Sequence, residues 1–401
     1  MNIISRFIDI KGRYTDAIIF TSDVDRETLS QIENLLDHKM VEGQIVRIMP
    51  DCHAGLGCVI GTTMTISDKV VPNLVGVDIG CGMLTSKLAN SNINFEELDS
   101  FIRREIPAGF NIRNKVHPNM RELDIKKLRA LRYIDYERAI HSVGTLGGGN
   151  HFIEVGKDSN GVLYLVVHTG SRHLGSQVAE HYQRLAIKTT MENLKEEKEK
   201  ELLELNPKVN LKKELRRFEK KISGTEKQLM YLENKNMDDY LHDMKLVQKY
   251  ASLNRRTITE IIAKGLGLEI RESFETIHNY IDLDEMILRK GAISAKKGEL
   301  VLIPMNMRDG SLFCRGKGNP VWNNSAPHGA GRLMSRKDAR DSFKLEDFKN
   351  KMEGIYTTSV SKATLDEDPD AYKPMESIIE AIDDTVEIID RLIPVYNFKS
   401  N

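Results

Sequence analysis

The sequence predicts an α/β protein, and three observations carry that prediction. Short apolar runs of strand length, clearest in residues 162–167 (VLYLVV), alternate with stretches of helical period such as 95–105. Residues 177–264 read as mostly helix. Between these elements lie blocks of Gly, His and Asn, each placed where a strand should end.

Composition sets the class. The chain has 401 residues, 40% apolar and 29% charged, which fits a globular protein with a large core. A formal net charge of −1 advertises no overall basic field for nucleic acid, although 58 Lys and Arg are available for a local groove. Four cysteines (Cys52, Cys58, Cys81, Cys314) are too few for a disulfide scaffold and predict reduced thiols. The N-terminal run MNIISRFIDIKGRY has no apolar core of signal-peptide length, and no window reaches the length of a membrane span. A cytoplasmic protein with no membrane partner is the expectation.

In chain order, residues 1–50 predict strand, helix, strand, with the Thr-Ser-Asp at 21–23 as N-cap of a helix through about His38. Residues 44–49 then alternate into the block MPDCHAGLGCVIG, where Asp51 and His53 fall in a glycine-rich loop. Asp51 suits a carboxylate that fixes a ligating imidazole or touches a metal directly; a polar turn between strands is the plain alternative. The next block, VGVDIGCGM at 75–83, reads as a strand entering a tight loop. Its Asp78 and Cys81 can turn into one pocket, a donor pair that suits Mn(II), Zn(II) or Fe(II).

Residues 95–105 and 120–138 predict helices, followed by HSVGTLGGGNHFIEV at 141–155, a loop entering a strand. Amides in such a loop can cradle phosphate, but no Gly-Lys-Ser/Thr follows, so it is not a P-loop. Asn150, His151 and Glu154 are its candidate ligand contacts. The strand at 162–167 ends in HTGSRHLGS, which sets the imidazole of His168 beside the guanidinium of Arg172; His173 reads as a loop residue. Residues 191–233 are heavily charged, with breaks at Asn206-Pro207 and Ser223-Gly224, and read as a solvated helical hairpin. The stretch SFETIHNY puts His278 at another strand end. In NNSAPHGAGRLMSRKDA, His328 sits between Pro327 and Gly329, and Arg332 and Arg336 are read on one face of a helix start, an anion site. Residues 372–392 read as a final helix, with Lys399 near the chain end.

The five donors Asp78, Cys81, His151, His168 and His278 are spread over about 200 residues, too far for a finger with paired ligand spacings. If they converge, they make a folded site of N, O and S donors. Phosphate-binding features accompany them, so phosphoryl or nucleotidyl transfer is indicated.

The blocks PDCHAGLGCVIG, VGVDIGCGM, GTLGGGNHFIEV, VHTGSRHLG, IHNY and PHGAGRLMSR resemble, in order, the signature of the RtcB family of RNA-splicing and RNA-repair ligases. The resemblance runs from about residue 10 to the C-terminus and is thin only over 185–240. It implies one α/β catalytic domain over 1–401, with a central metal cleft and a mostly helical segment at 177–265 that includes the charged hairpin. It implies dependence on GTP and two Mn(II) ions. It implies joining of RNA ends bearing a 2′,3′-cyclic phosphate or 3′-phosphate to 5′-hydroxyl ends, in tRNA splicing or RNA repair, with an archease-type activator as a possible partner. Position by position, the five donors match the family's metal ligands, with Cys81 bridging, and His328 matches the histidine that becomes guanylylated. Asn150, Phe152, Glu154, Ser311, Tyr372 and Lys399 match guanine-nucleotide contacts, and Arg172, Arg332 and Arg336 match RNA-binding residues. The chain departs from the family at Pro304-Met305-Asn306-Met307, where many members read Pro-Gly-Ser-Met, and at Pro327, where a small residue is common. Asn306 can still donate a hydrogen bond to a nucleotide. Two alternatives remain from the residues: a metal-dependent 3′-end phosphatase or cyclic phosphodiesterase that no longer ligates, and a non-catalytic RNA-end binder.

Overall fold

The computed structural model describes residues 6–400; residues 1–5 of the N-terminal run read above, and residue 401, lie outside them. Two large sheets organise these residues. The first has six strands in the order Ile8–Lys11, Asp16–Ile19, Val46–His53, Ile60–Thr65, Ile287–Lys290 and Asn279–Asp282. The second has seven: Ile270–Ile277, Gly82–Leu88, Leu163–Thr169, Phe152–Lys157, Val386–Lys399, Gly310–Gly316 and Leu300–Asn306. All the pairings in the seven-stranded sheet are antiparallel, and residue 278 alone separates its edge strand from the last strand of the other sheet.

One face of the seven-stranded sheet is covered because its alternating residues are apolar. Ile153, Val155, Leu165 and Val167 pack on Leu98 and Ile102 of helix Phe95–Glu105 and on Ile258 and Ile262 of helix Asn234–Leu266. Each fully buried side chain of this size contributes about 1.5–3 kcal/mol. The six-stranded sheet packs Ile19, Ile48, Met64 and Leu288 against Ile32 and Leu35 of helix Arg26–Leu36. Helix Arg172–Leu205 runs out from the sheets, and the short helices Leu211–Lys221 and Gly224–Gln228 follow breaks at the two predicted places.

Several expectations are corrected. The first helix is capped by Asp25, whose side chain accepts from the Thr28 amide at 2.9 Å, not by residues 21–23, and it ends at Leu36. Asp51 and His53 lie inside strand Val46–His53, whose pairing carries a register shift there, not in a loop. Residues 120–138 form no continuous helix. Three short 3-10 turns punctuate the stretch, an α-helix begins only at Tyr136 and runs to His141, and the side chains of His117 and Asp124 cap two of the turns by bonding the backbone that a helix would use. Residues 372–392 hold only the helix Met375–Ile382; from Val386 the β-branched, alternating VEIIDRLIPVYNFK forms a 14-residue strand, with Pro394 at a register shift that spares the ladder. Arg332 precedes the helix Arg336–Ser342, pairing with Tyr372 in an isolated bridge, so the two arginines do not share a helix face. His173 belongs to the first turn of helix Arg172–Leu205 instead of a loop. No helix among the described residues is long and apolar enough to cross a membrane.

Candidate active site

Antiparallel register assembles the site. Gly82 pairs with Thr169 and with Ile277, and His168 pairs with both Met83 and Phe152. Phe152 in turn pairs with Lys399. The ends of five neighbouring strands therefore meet in one row, which sets His278, Cys81, His168, His151 and Lys399 side by side although they are distant in sequence. Helix Asn234–Leu266 fixes this row from behind. Buried Arg255 donates to the carbonyls of Gly80 (2.7 Å) and Thr169 (2.8 Å) and pairs with Glu275 at 2.9 Å. Asn254 accepts from the Gly144 and Thr145 amides and donates to the Thr145 and Gly170 carbonyls.

The five donors do converge. Cys81 Sγ lies 3.4 Å from Nε2 of His151 and 3.4 Å from Nε2 of His168, and Asp78 Oδ2 lies 3.0 Å from His151 Nε2. They fall into two trios, Cys81–His168–His278 and Asp78–Cys81–His151, each with donor atoms within 4.8 Å of one another and with Cys81 common to both. Bond lengths near 2.0–2.3 Å put tetrahedral donors about 3.5 Å apart, so these spacings fit a cation in each trio. The protonation states agree. Burial, then the neighbouring imidazoles, push His168 and His278 well below the usual histidine range, which leaves neutral rings with free lone pairs. The Nδ1 atoms of both, though buried, have no hydrogen-bond partner. His151 is oriented through Nδ1, 3.0 Å from the Leu146 carbonyl, so Nε2 faces the cluster. Burial and the Asp78 carboxylate push the Cys81 thiol well up, a state that a bound cation reverses. Gly170 is required here, because a Cβ would stand 2.2 Å from Asp78 Oδ1.

His328 follows strand Ser325–Pro327, and its ring centroid lies 5.0 Å from that of His278. Fully buried Asp51 accepts from the His328 ring at Nδ1 (2.6 Å) and from its amide (3.1 Å) through the same oxygen, Oδ2. Gly331 lets the chain pass Asp51 this closely: its φ is +77° and a Cβ would meet the Asp51 carbonyl oxygen at 2.4 Å. His53 Nδ1 lies 3.0 Å from the Asp51 carbonyl oxygen, and burial lowers its basicity. Asp51 thus contacts His328, not one of the five donors.

A cavity of about 300 Å³ joins four of the donors, Asp78, Cys81, His168 and His278, to His328 and continues along a polar wall. Asn150, Phe152, Glu154, Asn306, Ser311, Arg332, Arg336, Tyr372 and Lys399 all line it, as does His53. Phe152 stands edge-on to His168 at 5.0 Å. Glu154 accepts from Asn397 at 2.8 Å through Oε2, while its Oε1 and Asn397 Oδ1 are buried and unpaired. Burial raises the Glu154 carboxyl to about 7, against the lowering effect of Asn397 and Lys399. Further along, buried Glu367 pairs with Lys399, with Arg336 (2.6 Å) and with the Tyr372 hydroxyl (2.8 Å). Burial alone would raise Glu367, but Lys399 and Arg336 overrule it and hold it near 2. Arg332 donates to the Asp366 carbonyl at 2.6 Å, and Arg336 and Arg340 both pair with the Asp366 carboxylate. Of the groups that line the wall, Arg332, Arg336 and Lys399 outnumber Glu154 and Glu367, which leaves it net positive.

Two residues sit differently from expectation. The Asn306 side chain closes the turn between strands Leu300–Asn306 and Gly310–Gly316. It accepts from the Arg308 and Asp309 amides and donates to Asp309 Oδ2 at 2.7 Å. Arg172 lies outside the cavity, bonded to Thr145 Oγ1 (2.9 Å) and to the Gly109 carbonyl (2.6 Å). Sequence reasoning missed Asn397, Glu367, Asn254 and Arg255. The last two had a signal, since polar residues on the apolar face of an amphipathic helix must find partners inside.

Comparison with known proteins gives the family. The family model described as "RtcB: tRNA-splicing ligase RtcB" matches residues 31–131 and 122–400. The chain is 30% identical to the RNA-splicing ligase RtcB of Escherichia coli (strain K12), over 86% of this chain and 87% of that one. It is 26% identical to the tRNA-splicing ligase RtcB of Nanoarchaeum equitans, over 95% and 93% respectively. With the tRNA-splicing ligase RtcB of Thermococcus kodakarensis it shares 24% identity, over 96% and 94%. The chain belongs to the RtcB family of RNA ligases.

Proposed function

We propose that the protein is a GTP- and Mn(II)-dependent RNA ligase acting through a guanylate carried on His328. It joins 3′-phosphate or 2′,3′-cyclic phosphate ends to 5′-hydroxyl ends, in tRNA splicing or RNA repair within the cytoplasm. The observation that supports this best is the Asp51–His328 pair, whose imidazole lines the same cavity as Asp78, Cys81, His168 and His278 of the two donor trios. Asp51 keeps the proton on Nδ1, so Nε2 keeps its lone pair for the α-phosphorus of GTP. The Nε2–P bond forms as pyrophosphate leaves, and Asp51 stabilises the positive charge that the ring acquires. An oxygen of the RNA 3′-phosphate then displaces His328 from phosphorus, and the 5′-hydroxyl attacks the activated end with release of GMP. Asp78, Cys81, His151, His168 and His278 would hold the cations, which would supply Lewis acidity toward the phosphate oxygens. Lys399 and the arginines of the wall hold phosphate charge in place. The whole chain, 1–401, acts as one ligase domain with the 177–265 helices as part of it.

Asp51→Asn is expected to slow guanylylation by about 10²–10⁴-fold, because the amide no longer fixes the tautomer or stabilises the charged ring. Single-turnover labelling with α-labelled GTP measures it, and an unchanged rate would remove Asp51 from the mechanism.

Glu154 is the natural reader of guanine. Its unpaired Oε1 can accept from the N1–H and 2-amino groups, which adenine lacks in that arrangement. The carboxylate must be ionised to do so. Since its value is raised to about 7, affinity for GTP falls by about tenfold per pH unit below that point and levels off above it. Glu154→Gln is expected to abolish both this pH dependence and the preference for GTP over ATP. Calorimetric titrations between pH 5.5 and 8, roughly spanning that value, decide the matter.

One observation favours a second reading. Asn306 spends its amide on Asp309, which leaves the nucleotide wall one donor poorer than a free side chain would. A cyclic phosphodiesterase without ligation would open cyclic ends yet take no label from GTP.

A further inference from the structure

Helix Leu211–Lys221 carries six cations and two acids in its 11 residues, LKKELRRFEKK. At 3.6 residues per turn, Leu211, Leu215 and Phe218 fall on one face, and each is half-buried where the helix packs on Arg172–Leu205. Lys212, Lys213, Arg216 and Lys220 fall on the opposite face, and all four are exposed. We propose that this face binds the phosphate backbone of a base-paired RNA stem, at a distance from the reactive ends of the same substrate. The inference rests on the ligase reading above and adds to it a site for the body of the RNA.

Four observations carry it. First, the charges are sorted, which solvation of a polar face does not require. Glu214 pairs with Arg217 at 2.8 Å and Glu219 with Lys195 at 3.2 Å, so both acids of the helix are engaged at the flanks of the cationic face. Among the described residues, no carboxylate pairs with Lys212, Lys213, Arg216 or Lys220. Second, a concavity of about 350 Å³ opens here, lined by Asn210 and five cations of the helix and by no acid. Third, the pattern opposes folding. Lys212 and Arg216, and Arg216 and Lys220, stand four apart and repel, and a bound polyanion reverses that repulsion. Fourth, the position suits the body of a substrate. Ser171, whose amide donates to Asp78 Oδ1 at 3.1 Å, is the N-cap residue of helix Arg172–Leu205, so that helix starts beside the metal donors. The Lys195–Glu219 pair fixes the cationic helix about 35 Å along it, at 1.5 Å per residue. That span is roughly ten base-pair steps of ~3.4 Å, over which a duplex is stiff. Phe218 is the one aromatic of the helix and faces inward, so the surface offers phosphate contacts without base stacking, the mode that suits a stem.

The test is the combined variant Lys212→Gln, Lys213→Gln, Arg216→Gln and Lys220→Gln, which removes the charge but keeps good helix formers. Its probes are two 3′-phosphorylated RNAs: a hairpin whose stem is longer than about 35 Å, and a short unpaired oligonucleotide. Affinity is read from the fluorescence anisotropy of labelled RNA at several salt concentrations. Each lost phosphate contact lowers the slope of log affinity against log salt by about 0.9, so the slope for the hairpin should fall by about 2–4. KM for the hairpin at low salt should rise by about tenfold or more, with kcat, KM for the unpaired oligonucleotide and labelling by GTP unchanged. An unchanged slope for the hairpin would overturn the proposal. So would an equal loss for both RNAs, because the contacts would then lie at the reactive ends. A variant that keeps hairpin binding but loses self-association in sedimentation would overturn it too, and would assign the face to the Glu-rich stretch 191–205 of a second copy. Failure of the wild type to take label from GTP would instead overturn the ligase reading, and the anisotropy titration, which needs no turnover, would still decide the cationic face.

Discussion

His328→Ala is expected to abolish label transfer from GTP to the protein, by at least about 10⁴-fold, while metal binding stays intact. The two halves of this result come from separate parts of the structure. The five donors sit on strand ends and adjoining loops of the seven-stranded sheet and are braced by helix Asn234–Leu266. His328 hangs from the two-stranded pair Ala292–Ser294 and Ser325–Pro327, and its ring is held by Asp51 of the six-stranded sheet. Removing the imidazole leaves both donor trios complete. The remaining cavity side chains do not replace it as a nucleophile. Lys399 is tied to Glu367, and burial and Asp78 keep the Cys81 thiol protonated in the absence of a cation. Denaturing electrophoresis after incubation with α-labelled GTP and Mn(II), beside metal analysis of the same sample, tests both halves. Retained label in the variant would show that another residue is the nucleophile. Lost metal would show that the two parts are not independent.

How much of this was legible in the sequence depends on what each residue's neighbours are. The donors were legible because each stands at the end of an apolar run, beside a glycine or a turn residue, where a side chain leaves the ladder. Their convergence was not, because it is set by strand pairings such as Met83 with His168 and Phe152 with Lys399, which local patterns do not encode. For the same reason local sequence gives no strand order, and the general architecture rested on resemblance. The helix read at 372–392 failed because a short amphipathic helix hands over to a long strand at Asp383–Thr385, and a window spanning both averages two periods. Glu367 and Asn397 were illegible in another way. Neither has a local signature, and each acts only through a partner brought by the fold, Lys399 in one case and Glu154 in the other. Asp51 was legible as a residue that positions an imidazole, but the imidazole it positions is that of His328.

Cys81→Ala is expected to lose metal and activity together, because Cys81 is the one donor shared by both trios. Any other single deletion leaves one trio whole. The other three cysteines are buried elsewhere in the core and belong to neither trio, so no thiolate replaces it. Without metal the variant should fold about as well as the wild type, since a methyl replaces a neutral, buried thiol. The difference appears on adding Mn(II). A ligand at about 100 times its dissociation constant stabilises a folded protein by about 2.7 kcal/mol, so the wild type should show a clear rise in Tm and the variant none. The pH dependence gives an independent signature. A cation must displace the proton of a thiol that burial and Asp78 have pushed up, so wild-type affinity rises with pH, by about tenfold per unit for that one proton. His168 and His278 are already neutral and add little to this slope near pH 7. Calorimetric titration of Mn(II) at several pH values measures affinity, stoichiometry and slope at once. Two ions bound by Cys81→Ala, with ligation intact, would mean that the thiolate is not the bridge.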